Sequence, residues 1–104
     1  MTKTYLLPES CETMIEVREG VDATDRALME LLDRRFGYMR AAARIKTSRD
    51  AVRDEGRKSE VIKNAQKDAE ARGLPSRDIA EIWEQLVETS IAYELLEWDN
   101  QDRP

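Results

Sequence analysis

The chain has 104 residues and a formal net charge of -5, which suits one small domain and disfavours the basic surface of a nucleic-acid-binding protein. It contains no histidine and a single cysteine, Cys11. Catalysis by imidazole, a Cys–His nucleophile and an ordinary zinc site are therefore excluded. Apolar residues make up 40% of the chain, and their helical spacing argues against disorder.

No segment has the apolar length of a signal peptide or of a membrane span. One cysteine cannot form a disulfide within the chain, which favours a reducing compartment. We therefore expect a cytoplasmic protein that does not bind membranes.

The first predicted element is a long helix. After a lead-in over residues 1–12, Ser10 or Thr13 can cap a helix that runs to about Thr47. Its apolar face comprises Met14, Val17, Val21, Leu28, Leu31, Leu32, Phe36, Met39 and Ala43. At ~1.5 Å per residue this helix is roughly 50 Å long, against a radius of gyration of ~13 Å for a chain of this size. Its far end needs cover from another chain, so the pattern predicts an oligomer, most simply a two-fold homodimer.

Two further helices are predicted after a polar loop over residues 48–56. A short helix over residues 57–72 ends at Gly73, and Pro75 prevents its continuation. Ser76 is the predicted cap of a third helix of medium length, followed by a frayed tail over residues 99–104. The inward positions of the third helix are Ile79, Ile82, Trp83, Leu86, Val87 and Trp98. The sequence therefore predicts a single all-α domain over residues 1–104, with one long, one short and one medium helix.

Charged and polar residues fall on the apolar faces of two of these helices. Arg35 and Lys46 are 11 positions apart, almost three turns, so they stack on one face of the first helix. Ser90 and Glu94 fall on the apolar arc of the third. Long cations can extend from such a face to water, and Lys46 with Glu94 can form a simple salt bridge. Taken together, however, the four groups indicate a polar pocket for an anionic ligand. Arg18, at about 100° from Arg35, lies where it can reach a neighbouring subunit's site.

Three segments resemble a known family. "EVREGVDATDRALMELLDRRFGYMRAAARIK", "VRDEGRKSEVI" and "LVETSIAYELLEW" are similar, in order and spacing, to the first helix, the following loop and the third helix of the all-α chorismate mutases. The resemblance covers roughly residues 14–98. The opening "PESC" also resembles that of the isochorismate–pyruvate lyases, which are close relatives on the same fold.

The resemblance implies an intertwined homodimer of three-helix chains, with two equivalent sites for a small dianionic substrate. Each site takes Arg18 from the partner subunit, and from the other chain Arg35, Lys46, Asp54, Arg57, Ser90, Ile91 and Glu94. The catalytic residues are expected to be Lys46, Glu94 and Arg35. In this arrangement the three arginines bind carboxylates and Lys46 binds the ether oxygen. The backbone of Asp54 approaches the substrate hydroxyl, and Ile91 lies beneath the ring.

Two positions depart from the family pattern. Glu94 stands where many bacterial members have Gln, so it is expected to work protonated, with activity falling as pH rises. Lys58 stands where mutases often have a Glu that contacts the substrate hydroxyl. The function that the resemblance implies is the rearrangement of chorismate to prephenate, a reaction that needs no metal or cofactor. The alternatives are isochorismate–pyruvate lyase, which gives salicylate and pyruvate, and a non-catalytic helical dimerisation module.

Overall fold

The computed structural model describes residues 5–101; residues 1–4 and 102–104, parts of the predicted lead-in and tail, lie outside the described residues. Within that range every regular element is helical. The order is a 3₁₀ turn Pro8–Ser10, α1 Met14–Ile45, a 3₁₀ turn Arg49–Ala51, α2 Glu55–Ala71 and α3 Ser76–Asp99. The predicted all-α fold, with one long, one short and one medium helix, is confirmed. None of the helices between residues 5 and 101 has the length and apolar character needed to cross a bilayer.

The chain divides into two compact units, Met1–Gly37 and Tyr38–Pro104, and α1 contributes residues to both. In the first unit, α1 begins with a reciprocal capping box. The N–H of Glu16 donates to Thr13 Oγ1 at 3.2 Å, and Glu16 Oε1 accepts from the backbone N–H groups of Glu12 and Thr13 at 2.9 and 3.0 Å. These bonds favour the charged carboxylate and hold the pKa of Glu16 below its ordinary value. Thr13 is therefore the capping residue, and Ser10 lies in the preceding 3₁₀ turn.

The apolar face of α1 in the first unit is exposed rather than part of a core. Its exposed members are Met14, Val17, Val21, Leu28 and Leu31, and Ile15 and Met29 nearby are exposed as well. An exposed apolar face agrees with the sequence argument that this helix needs cover from a second chain. The dimer itself stays a prediction.

The core of the second unit lies between α2 and α3. Val52, Val87 and Ile91 are buried together, with Val61, Ile62 and Leu95 packed against them. Ala65 and Ala69, both buried on α2, are small enough to let the two helix backbones approach closely. One predicted core position is wrong: Ile82 is more than half exposed.

The ends of α2 and α3 differ slightly from the sequence prediction. α2 begins at Glu55, two residues early, because the Asp54 side chain accepts from the N–H of Arg57 at 3.0 Å and caps the helix. Gly73 ends it as predicted, with a φ of 70° that suits glycine. Ser76 is the first residue of α3 rather than its cap, a position held by Pro75.

The C-terminal end of α3 is held by an ion pair. Asp99, predicted to begin the frayed tail, is the last residue of α3. Its two carboxylate oxygens accept from Nε and Nη2 of Arg49, at 2.8 and 3.0 Å. This two-point contact stabilises the carboxylate and lowers the pKa of Asp99. The 3₁₀ turn after α1 is thereby joined to the end of α3.

Candidate active site

Lys46 lies one residue beyond α1, yet it keeps the geometry of the helix. Its backbone N–H donates to the carbonyl of Ala42 at 2.9 Å, which is the helical i to i−4 bond. The ammonium Nζ lies 2.7 Å from Glu94 Oε2 and 3.4 Å from the carbonyl oxygen of Val52. The chain leaving α1 thus directs this cation onto α3.

Glu94 belongs to a buried strip of α3. Ser90, Ile91 and Glu94 occupy positions i, i+1 and i+4 of the helix and are all buried. The hydroxyl of Ser90 donates to the carbonyl of Leu86 at 2.7 Å, which fixes its orientation. The prediction that Ser90 and Glu94 face inward is therefore correct. Their functional roles stay a prediction.

The Lys46–Glu94 contact joins a buried acid to a partly exposed cation. The side chain of Glu94 is 5% exposed and that of Lys46 is 30% exposed. A buried carboxylate without a cation is strongly unfavourable, so each group helps to hold the other in place. The ammonium is also the more accessible partner. A ligand oxygen could therefore approach Lys46 while Glu94 remains within the protein.

The start of α2 carries two more of the predicted residues, Asp54 and Arg57, and both are exposed. The carboxylate of Asp54 caps the helix. The approach of its backbone to the substrate hydroxyl, which the family resemblance implies, stays a prediction. The guanidinium of Arg57 pairs with Glu60, one turn along the same helix. Exposed pairs of this kind contribute little to stability, so Arg57 can exchange Glu60 for another carboxylate at small free-energy cost.

The two remaining predicted residues lie in the first unit. Arg18 is exposed on the N-terminal part of α1, and Arg35 is partly buried further along it. Their assignment to a substrate site stays a prediction that rests on the family resemblance.

A group of charged residues that the sequence analysis did not assign lies where α2 meets α3. The ammonium of Lys58 contacts Glu84 Oε1 at 2.9 Å and Glu88 Oε2 at 2.6 Å. Arg53 donates from Nη2 to Glu88 Oε1 at 2.8 Å, from Nη1 to Glu88 Oε2 at 3.0 Å, and from Nη1 to Glu55 at 2.8 Å. We refer to Arg53, Lys58, Glu84 and Glu88 as the Lys58 clamp.

The contacts of the clamp shift the pKa values of its members. Arg53 first, and then Lys58, stabilise the charged carboxylate and lower the pKa of Glu88 from 4.5 to about 2. Glu88 and Glu84 in turn raise the pKa of Lys58. One sequence signal could have revealed the clamp: Glu84 and Glu88 are four residues apart, so both lie on one line along α3.

The first unit contains a cavity of about 300 Å³ between the N-terminal segment and α1. Its lining residues are Tyr5, Leu6, Pro8, Cys11, Val17, Gly20, Val21, Thr24 and Asp25. The thiol of Cys11 donates to the carbonyl of Leu7 at 3.6 Å. None of the predicted site residues is among those that line this cavity.

Comparison with known proteins adds two findings to this geometry. The family described as chorismate mutase type II matches residues 17–95, a segment that includes every predicted site residue from Arg18 to Glu94. A curated relative from Pseudomonas aeruginosa, named isochorismate pyruvate lyase, is 29% identical over 91 residues. That alignment covers 88% of this chain and 90% of the relative.

Proposed function

We propose, since the chain belongs to the chorismate mutase type II family, that it rearranges chorismate to prephenate. The observation that carries the proposal is the Lys46–Glu94 pair, an accessible ammonium held 2.7 Å from a buried carboxylate. Ser90 and Ile91 are buried beside Glu94 on the same helix. An ammonium fixed in partly dry surroundings is suited to a reaction in which negative charge develops on one oxygen atom.

The reaction requires only a shaped and charged site. Within one molecule, the ether C–O bond breaks while a C–C bond forms between the enolpyruvyl methylene carbon and the ring. No atom enters or leaves, so neither a nucleophile nor a redox group is needed. The protein accelerates the reaction by holding the enolpyruvyl arm over the ring and by stabilising charge on the ether oxygen. We assign this oxygen to Lys46, whose ammonium is held in place by Glu94.

The two carboxylates of the substrate are assigned to the arginines. Guanidinium groups bind carboxylates with two parallel hydrogen bonds, which fixes orientation as well as charge. Arg57, whose present partner is the exposed Glu60, is assigned to one carboxylate, and the family resemblance assigns Arg35 to carboxylate binding as well. Arg18 is assigned to the site of the partner subunit. The exposed apolar face of α1 supports a homodimer, because a second copy would remove these side chains from water.

A second candidate function is the elimination of pyruvate from isochorismate to give salicylate. The observation that favours it is the near full-length similarity to the isochorismate pyruvate lyase of Pseudomonas aeruginosa. In this reaction the same kind of ether bond breaks, while a ring hydrogen passes to the methylene carbon. Lys46 would again stabilise the ether oxygen, so the two reactions share the assignment of this residue.

The test is to incubate the purified protein with chorismate and with isochorismate separately, and to measure prephenate and salicylate. Prephenate from chorismate supports the first proposal, and salicylate alone supports the second.

Lys46→Ala is expected to lower kcat/KM by at least about 100-fold, as removal of an oxyanion donor does elsewhere. Lys63→Ala, which changes an exposed lysine of α2, is the control and should have no effect. If the protein converts neither substrate, both proposals fail and the non-catalytic dimerisation module is the remaining reading.

A further inference from the structure

We propose that Lys58 is a positioning residue, which holds the first turn of α2 against Glu84 and Glu88 of α3 and thereby orients Arg57 toward the substrate carboxylate. This inference rests on the proposed function. It also answers the question that the sequence raises at position 58, where a lysine replaces the residue that contacts substrate in many mutases. In this chain, Lys58 acts on the substrate through its neighbour.

The first argument is the burial of Lys58 and the number of its partners. Its side chain is 16% exposed, about half the value for Lys46. The ammonium lies within 2.9 Å of Glu84 and within 2.6 Å of Glu88. An ammonium has three donors, so it can satisfy both carboxylates at once. Lys58 is therefore committed to α3 by two contacts rather than one.

The second argument is that Arg53 holds the same carboxylate from the other side of the helix cap. Both Nη atoms of Arg53 donate to Glu88, at 2.8 and 3.0 Å. Arg53 precedes the capping residue Asp54, and Lys58 follows it. Residues 53–58 are thus joined to Glu88 at both ends. Networks of this kind constrain a backbone more effectively than an isolated surface pair.

The position of Arg57 follows from this attachment. Neighbouring residues of a helix point about 100° apart, so when Lys58 faces α3 the side chain of Arg57 projects sideways, where it is exposed. The clamp sets the rotation of the first turn of α2, and hence the direction of the guanidinium. Its loss would leave Arg57 able to reach the substrate but no longer aligned with it.

The kinetic consequence differs from that of a residue that touches the reacting atoms. A carboxylate bound by Arg57 is held equally in the substrate and in the transition state, so a misdirected Arg57 raises KM and leaves kcat almost unchanged. A residue that stabilises the transition state alone lowers kcat instead. The split between the two parameters therefore distinguishes positioning from direct catalysis.

The experiment measures kcat and KM with the substrate that the wild-type protein converts. Lys58→Met is expected to raise KM about 10-fold, the size of one lost charge-assisted hydrogen bond, with kcat within about twofold. Lys58→Arg, which can still bridge both carboxylates, should restore KM, and Lys63→Met is the control.

Lys58→Glu should be at least as impaired as Lys58→Met, and the double variant Lys58→Glu/Glu84→Lys should recover most of the loss. A fall in kcat at unchanged KM, or a double variant as impaired as Lys58→Glu, would overturn the proposal.

Two further measurements keep the test decisive. Circular dichroism shows whether Lys58→Met folds. If it does not, Glu84→Gln is measured instead, because it removes a single exposed partner of Lys58. An unchanged KM in Glu84→Gln would count against the clamp. Hydrogen–deuterium exchange of residues 53–58 needs no substrate, and should be faster in Lys58→Met but not in Lys63→Met. Equal exchange in the two variants would overturn the proposal even if the wild-type protein proves inactive, an outcome that would separately refute the proposed function.

Discussion

Two lysines of this chain bind glutamates of α3 at nearly the same distance, and their surroundings are opposite. Lys46 is the accessible partner of Glu94, which is buried. Lys58 is the shielded partner of Glu84 and Glu88, which are both exposed to some degree. The first pair has one carboxylate and a cation that a ligand can approach, whereas the second has a cation already occupied on two sides. Similar contact distances can therefore accompany different roles. The two lysines differ in the number of carboxylates that they contact, and in whether the lysine or the glutamate is the more buried partner.

The largest expected difference between the two lysines is in turnover. Lys46→Met should lower kcat by about 100-fold or more, because the developing charge on the ether oxygen loses its donor. Lys58→Met should leave kcat almost unchanged. Steady-state kinetics of the two variants in parallel measures this contrast. Equal losses of kcat would remove the distinction between the two lysines.

A smaller difference is expected in stability. Lys46→Met leaves the buried Glu94 without its cation, so the free energy of unfolding at neutral pH should fall by about 2 kcal/mol. In the double variant Lys46→Met/Glu94→Gln, the remaining amide is neutral, and most of that loss should be recovered. Urea unfolding followed by circular dichroism gives both values. A double variant less stable than Lys46→Met would show that the buried pair is not the source of the loss.

The contribution of the clamp to stability should depend on pH. The pKa of Glu88 is lowered in the folded chain from 4.5 to about 2, so its contribution to stability is fully present above about pH 4.5. It is lost as pH falls through about 2. The stability difference between the wild-type protein and Arg53→Met should accordingly shrink over this interval, as measured by urea midpoints at a series of pH values. Since Glu88 is partly exposed, we expect this to be the smallest of the three effects.

The sequence predicts the helices better than it predicts their mutual contacts. Apolar spacing located α1 and α3, and Gly73 with Pro75 marked the end of α2. The start of α2 was missed by two residues, because the cap bond from Asp54 is a local side-chain choice within a polar segment. The helical pattern predicts that Ile82 faces inward, and this is wrong because the pattern shows which residues share a face but not whether another element covers that face.

The same difference between helix patterns and contacts holds for the candidate site. A contact between Lys46 and Glu94 was among the alternatives, since both residues fall on apolar faces, and the structure brings them together. From the sequence, Lys58 is only a departure from the family pattern. Its contact with Glu84 and Glu88 depends on how α2 packs on α3, which no single-helix pattern contains. The side-chain network therefore became visible only in three dimensions.

Glu88 is the carboxylate that both Arg53 and Lys58 contact, so the clamp depends on it more than on its other members. A substitution at position 53 or 58 removes one of the two basic side chains that contact Glu88, and so loosens one end of residues 53–58. A substitution at position 88 removes a contact at both ends together, and leaves Lys58 only its contact with Glu84. In a library of random variants, position 88 should consequently tolerate fewer replacements than either of its two basic neighbours.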